Sequence, residues 1–330
     1  MSEKKSKQAE KWLLELYQLR KAMGTLPESQ PERRDDIFIG VENIKVKLVD
    51  YPKNPYRAIY EIVTSTWGGR DRWFKRWENT TPQGRLFAVM AALQGHTLQQ
   101  ALEAPSFIFI IDGLSRSAFD QLARHRFSAI GSVGMRDNNW LDAALRVPWP
   151  IAKNRRFMEK IQYWWRITKD LYHEMIEQGQ QSWQNARAIL PMGVCWRFSW
   201  TMNYRALKDI LAKRLMFCEQ WDTVATAWLM RREIEKKFPL LAAFLRPACD
   251  FAKRCLYHQL YSLSQAFGCL FKPCGRWPSG EVTVATFPNE AAADKKVIES
   301  QLNISIPEST DWPKIVEEAK KKDFKYFEED

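Results

Sequence analysis

What this 330-residue chain has little of narrows its chemistry first. It carries only four histidines and six cysteines, the latter at 195, 218, 249, 255, 269 and 274, and no Cys-x-x-Cys pair. A zinc site of ordinary ligand spacing is therefore not expected, and no metal is assigned. Nor does a chain this long, with this much apolar material, need a disulfide scaffold. No uninterrupted apolar run approaches the roughly 20 residues that span a bilayer. The opening MSEKKSKQAEKWL has no apolar segment of signal-peptide type. A cytoplasmic location without membrane contact is the expectation. There is no Cys-His or Ser-His-Asp constellation, no internal repeat and no low-complexity array. Acidic residues are the minority charge: 39 against 50 Lys and Arg, a net +11 that favours nucleotides, nucleic acid or an acidic surface as partners.

What is present is core material, 45% hydrophobic with fifteen tryptophans, which argues against a disordered chain. Residues 1–50 are charged. They begin with an expected helix over Lys5–Met23, whose Trp12, Leu13, Leu16, Tyr17 and Leu19 make a partial apolar face, and continue into the linker GTLPESQPERRDD. From Ile37 to Pro191 short strand-like and helical segments alternate. SFIFIID (Ser106–Asp112) reads as a buried strand, and Ser115 as the N-cap of a helix reaching about Phe127. Thr201–Pro239, without internal glycine or proline, reads as the clearest helical region. Lys272–Asp330 reads as an appended extension. WGGRDRWFKRW has aromatics able to stack on bases, although tryptophan is more often core or interface material.

Two clusters carry chemistry. In QLARHRFSAIGSVGMR, Gln121, Arg124 and His125 share one face of the expected helix, and arginine forks bind phosphates and ring carbonyls bidentately. The plainer reading is a basic last turn that complements the helix dipole. In the second cluster Asn203, Leu207, Ile210 and Arg214 form a stripe. An arginine on such an apolar seam needs a partner, and a bound ligand is one candidate. Arg205, Asp209 and Lys213 lie on the adjacent stripe, where Arg205 and Asp209 have the spacing of a surface ion pair.

Read together, GRLFAVMAALQGHT, RHR with its following small residues, ARAILP, FSWTMNYRALKDILAKR and the later QW resemble the flavin-dependent thymidylate synthases from roughly Tyr56 to Leu245. The resemblance implies an α/β (α+β) fold with a mixed sheet and long helices. It places a catalytic core at 51–271 between N- and C-terminal extensions at 1–50 and 272–330. It implies a homotetramer with active sites at subunit interfaces, FAD as cofactor, and NADPH and methylenetetrahydrofolate as co-substrates. The implied reaction is one-carbon transfer to carbon 5 of a pyrimidine deoxynucleotide, dUMP first. On that basis His96, Arg124, His125, Arg126, Asn203, Tyr204, Arg205 and Asp209 are flavin positions. Gln121, Arg124, Ser132, Gly134, Arg136, Arg187 and Arg214 are substrate positions. Arg214 is the expected catalytic residue: set against the uracil ring, its guanidinium stabilises developing negative charge without a covalent nucleophile, while the flavin supplies reducing power.

The chain also departs from the family pattern. Gly134 stands in place of the signature serine, Gly131 and Ser132 stand where Asn and Glu are usual, and Ala129 replaces a usual Ser. TLQQALEAPSF after His96 is a few residues longer than usual. Either the glycines rebuild the pocket by letting main-chain N–H groups approach a phosphate, or turnover has been lost. The product is open between a methylated and a hydroxymethylated base. A non-catalytic flavin- or nucleotide-binding homologue and a nucleic-acid-binding protein stay as alternatives. Uracil is expected over cytosine, because the donor edge of cytosine would oppose Arg214.

Overall fold

The computed structural model describes residues 35–67, 76–136, 138–217, 219–253 and 293–329, with parts of a helix between 11 and 22. The linker before residue 35, most of the Trp-rich stretch at 68–75, the cysteines at 218, 255, 269 and 274, and KPCGRWPSG lie outside the described residues.

Strand β3 (Ser106–Ser115) is the spine of the fold, running three residues past the end expected at Asp112. Its alternation buries Phe107, Phe109 and Ile111 on one face, the period-2 signature of a half-covered strand. β2 (Lys45–Asp50) and β6 (Cys195–Asn203) pair with it antiparallel on either side, and β4 (Ser128–Ser132) pairs antiparallel with β6, giving the order β2-β3-β6-β4. In β6 the same alternation buries Trp196, Phe198, Trp200 and Met202. β1 (Ile37–Ile39) and β5 (Leu145–Val147) form a separate parallel pair. The sheets are thus mixed between, not within, themselves, in an α+β architecture. β2 precedes residue 51, so the sheet begins inside the stretch expected to be the N-terminal extension.

The helices that frame the core and the site are α1 (Pro55–Thr64), α2 (Pro82–Leu93), α3 (Arg116–Leu122), α4 (Arg155–Glu177), α5 (Tyr204–Arg214), α6 (Trp221–Glu235), α7 (Pro239–Ala243), α8 (Lys295–Leu302), α9 (Trp312–Asp323) and α10 (Lys325–Glu328); short helical turns at Trp149–Ala152, Trp183–Ala186 and Ala248–Ala252 join them. Two expectations need correction. α3 starts at its Ser115 cap but ends at Leu122, not near Phe127. The residues from Ser128 are taken by β6 as an edge strand, so the chain must reverse first. Phe127 makes that turn at φ +60 and is 87% exposed. Arg-His-Arg therefore lies on the connection between α3 and β4, not in a helical turn. Thr201–Pro239 is likewise not one helix: Thr201–Asn203 ends β6, and α5 and α6 are separated by a break between Arg214 and Trp221. Asn203 begins α5 by accepting the Ala206 N–H at 2.8 Å, the satisfaction of an orphan donor that defines an N-cap.

The C-terminal helices are built into the main core. Trp312 and Phe327 are buried there. Trp312 Nε1 donates to Asp250 at 2.6 Å, and Arg85 donates to the Phe327 carbonyl at 2.6 Å. The buried Asp323 accepts from the Tyr56 hydroxyl and, at 2.6 Å, from Leu240 N–H. At the other end, Trp12, Leu14, Leu16 and Leu19 are exposed. No described helix is long and apolar enough to cross a membrane.

Candidate active site

Two sites 89 residues apart in sequence meet at the end of α3. Arg214, on the last turn of α5, donates from Nε to His125 Nε2 at 3.0 Å, from one terminal nitrogen to Glu219, and from the other to the Gln121 carbonyl at 3.3 Å. The stripe that put Arg214 on an apolar seam is real, since Leu207 and Ile210 are buried, and the partners it needed are His125, Glu219 and Gln121. Burial, then the charges of Arg214 and Lys213, push the His125 pKa down to about 4, so the ring is neutral near neutral pH. Arg124 and Arg126 on either side are exposed.

The Gln121 side chain leads inward. Its amide donates to Gln220 Oε1 at 2.5 Å, and Gln220 donates to Ser117 Oγ at 3.0 Å. Ser115 Oγ, which caps α3, donates to Asp222 at 2.5 Å, and Ser115 N–H donates to the same oxygen at 3.1 Å. Asp222 is wholly buried and burial raises its pKa, against the lowering effect of these hydrogen bonds. This network locks the start of α3 to the start of α6.

Beside α3 lies a pocket of about 440 Å³, the size of a small-molecule site. Ser132, Gly134 and Arg187, all expected substrate positions, line it together with Arg116, Asp120 and Trp196. Arg116 pairs with Asp120 at 2.9 Å and lies 4.3 Å over the Trp196 ring. Arg187 is half-buried, and among the described residues only its Nε is engaged, at 3.1 Å to the Gln184 carbonyl. Arg136 is exposed just beyond this wall, where Asn138 donates to the Gly134 carbonyl at 2.8 Å. α3 thus faces the pocket with Asp120 and the Arg214 group with Gln121.

The remaining flavin positions gather elsewhere. His96 is exposed in the turn after α2, where Gly95 takes φ +82, a conformation glycine adopts at no steric cost. Lys208 of α5 donates to the Leu93 carbonyl at 3.0 Å and so holds α5 against that turn. Arg205 pairs with Glu103 at 2.7 Å and not with Asp209, which is exposed. The side-chain oxygen of Asn203 is spent on its cap. Tyr204 is a correction: its side chain is wholly buried, its hydroxyl donates to the Leu241 carbonyl at 2.8 Å, and it is core, not a surface for flavin. Arg205, Asp209 and His96 have no described contact with the pocket or with Arg214.

Sequence reasoning missed Arg116, Asp120, Glu219 and Gln220. The i, i+4 spacing of Arg116 and Asp120 was a usable signal; Glu219, in the break between two helices, offered none. The donor set fits an anionic flavin cofactor. Arg124 and Arg126 make no ion pair among the described residues, and His125 keeps one ring nitrogen free.

Comparison with known proteins identifies the family. The family model described as thymidylate synthase complementing protein matches residues 47–240. A flavin-dependent thymidylate synthase of Pyrococcus furiosus is 29% identical over 244 residues, covering 71% of this chain and 96% of that protein. That of Pyrococcus abyssi is 30% identical over 221 residues, covering 64% of this chain and 87% of its own length. Among solved structures, a UMP/dUMP methylase from Streptomyces cacaoi bound with 5-Br dUMP superimposes with a TM-score of 0.52 at 17% identity, covering 63% of this chain and 96% of that one. The last likeness speaks for the fold alone. With more than half its length matched, the chain belongs to the thymidylate synthase complementing protein family, that of the flavin-dependent thymidylate synthases.

Proposed function

We propose that the chain transfers a one-carbon unit to carbon 5 of a pyrimidine deoxynucleotide, dUMP first, with FAD as cofactor and with NADPH and methylenetetrahydrofolate as co-substrates. The observation that carries this reading is the pocket in which Ser132, Gly134 and Arg187 come together. The names of the sequence relatives, flavin-dependent thymidylate synthases, support it.

In this reading Arg187, with Arg136 at the rim, binds the nucleotide phosphate. Arginine suits the task because its planar fork makes charge-assisted bonds to phosphate oxygens. Gly134 supplies no hydroxyl, so recognition on that wall falls to Ser132 and to main-chain N–H groups. Arg214 spends three of its five N–H donors on the protein. The two that remain stabilise negative charge building on the pyrimidine carbonyls, and the three bonds fix the guanidinium beforehand, which is where such stabilisation gains its strength. Arg124 and Arg126 hold the flavin, whose bound form supplies the redox chemistry. His96, Arg205 and Asp209 serve a site completed by another subunit of a homotetramer. The catalytic core of this reading takes in β2, which lies before residue 51, and the C-terminal helices packed into the same core.

The test is the visible absorbance of the purified protein with FAD, followed by dUMP and then dCMP. A flavin band perturbed by dUMP but not by dCMP supports the reading, and product analysis then separates methyl from hydroxymethyl. Absence of any flavin binding overturns it.

A further inference from the structure

Glu219, Arg214 and His125 form a line of hydrogen bonds that determines which imidazole nitrogen carries the proton. An arginine Nε bears hydrogen at every pH at which proteins stay folded. Arg214 points that N–H at His125 Nε2 from 3.0 Å. A ring protonated at Nε2 would set two donors against each other, so Nε2 is the bare, accepting nitrogen. The guanidinium cannot easily turn away, because Glu219 holds one of its terminal nitrogens and the Gln121 carbonyl the other. The Arg214 and Glu219 side chains are only 17% and 16% exposed. The opposite nitrogen of the ring, Nδ1, has no partner among the described residues.

We infer that Glu219 and Arg214 are positioning residues that hold His125 as the neutral Nδ1–H tautomer, so that Arg-His-Arg presents two cations around one uncharged donor aimed at an acceptor oxygen of a bound ligand. The tautomer follows from geometry alone; the ligand rests on the function proposed above. The charged groups acting on the ring are Arg214 and Lys213, and both oppose its protonation, as does burial. Glu219 is not among the charges acting on the ring; it bears on the ring by holding the Arg214 guanidinium. An uncharged donor discriminates by direction where a cation would attract any anion. The acceptor oxygen belongs either to the flavin or to the nucleotide, two sources of one chemistry.

The experiment is nitrogen-15 NMR of the full chain with labelled histidine. Only four histidines are present, and His125→Gln assigns one set of signals by its loss. We expect His125 at pH 7 to show an unprotonated Nε2 and a protonated Nδ1, and to keep that pattern to about pH 5, well below the usual midpoint near 6.5. In Arg214→Met, or in Glu219→Gln should the first variant fail to fold, the pattern becomes a mixture of tautomers and the titration moves up toward 6.5. A cationic or Nε2-protonated ring in the wild-type protein at pH 7 overturns the inference, and that measurement needs no variant to fold. FAD and dUMP are then added separately, and the addition that shifts Nδ1 names the source of the acceptor. A flavin band without any shift at Nδ1 overturns the ligand half of this inference and leaves the proposed function standing. No flavin band, with the tautomer as expected, defeats the proposed function and leaves the tautomer assignment intact.

Discussion

Arg187 is the residue on which nucleotide affinity should depend most directly. It lines the pocket, and among the described residues only its Nε is engaged. Arg187→Ala removes a charge-assisted contact worth roughly 1.5–3 kcal/mol, so dUMP affinity should fall about 10- to 100-fold while the flavin band persists. Titration of the flavin absorbance with dUMP checks it, and unchanged affinity would move the phosphate elsewhere. His125 carries a different expectation. A histidine whose folded pKa is depressed stabilises the fold above its unfolded value near 6.5. That contribution fades as pH falls toward the folded value of about 4. The stability of the wild-type protein relative to His125→Gln, from urea unfolding at several pH values, should therefore decline between about 6.5 and 4; a flat difference would show a ring that is already freely titrating. Arg214 was legible from its stripe with Leu207 and Ile210, but its bond to His125 was not: the resemblance set the one against the uracil ring and the other on the flavin. Glu219 was not legible, because hydrophobic period says nothing across a helix break. Tyr204 misled for a related reason: the first residue after a cap points wherever the entering strand directs it, here into the core.

At the scale of elements, β4 carries Ala129, Gly131 and Ser132, three of the expected departures from the family pattern, and its register makes one of them testable. Gly131 lies opposite Ser199 of β6, and Ser199 Oγ donates to the Gly131 carbonyl at 3.2 Å. A Cβ built on Gly131 would stand 2.9 Å from that Oγ. A larger residue must thus displace the Ser199 hydroxyl of its cross-strand neighbour, while backbone conformation does not oppose it. Gly131→Ala alone should be destabilising or neutral, because the strand propensity it gains, about 0.5–1 kcal/mol, is offset by the displaced hydroxyl. In a Ser199→Ala background the same change should be stabilising. A double-mutant cycle should give a coupling of about 0.5–1 kcal/mol, and strict additivity would mean the strands do not pair in this register. The strands themselves were readable, because Ile and Phe alternate in β3 and Trp, Phe and Met alternate in β6. The end of α3 was not, since Arg, His and Arg are good helix residues and only the claim of β6 on the following segment stops them.

For the whole molecule, the question is how far the fold extends beyond the matched region, which ends at residue 240. The alternating charges of the C-terminal tail hid a buried face: Trp312, Ala319, Asp323 and Phe327 are all buried, at spacings of seven, four and four. That face sits on α7 and α1 through Asp323, which accepts from Tyr56 and Leu240, and on α2 through the Arg85 bond to the Phe327 carbonyl. α2 in turn ends at the turn carrying His96. Trp312→Ala should cost about 3–5 kcal/mol, more than its apolar area alone implies, because Asp250 also loses one of its donors, at 2.6 Å. Removing residues 293–330 should abolish cooperative unfolding altogether, since it strips Tyr56, Arg85 and Asp250 of partners at once. Urea unfolding of both proteins, followed by tryptophan fluorescence, decides the matter. If the truncated chain unfolds cooperatively with a midpoint near that of the full chain, the extension is an accessory laid on a self-sufficient core. If it does not, the folding unit runs from β1 to α10, and the turn that carries His96 depends on residues the family match does not include.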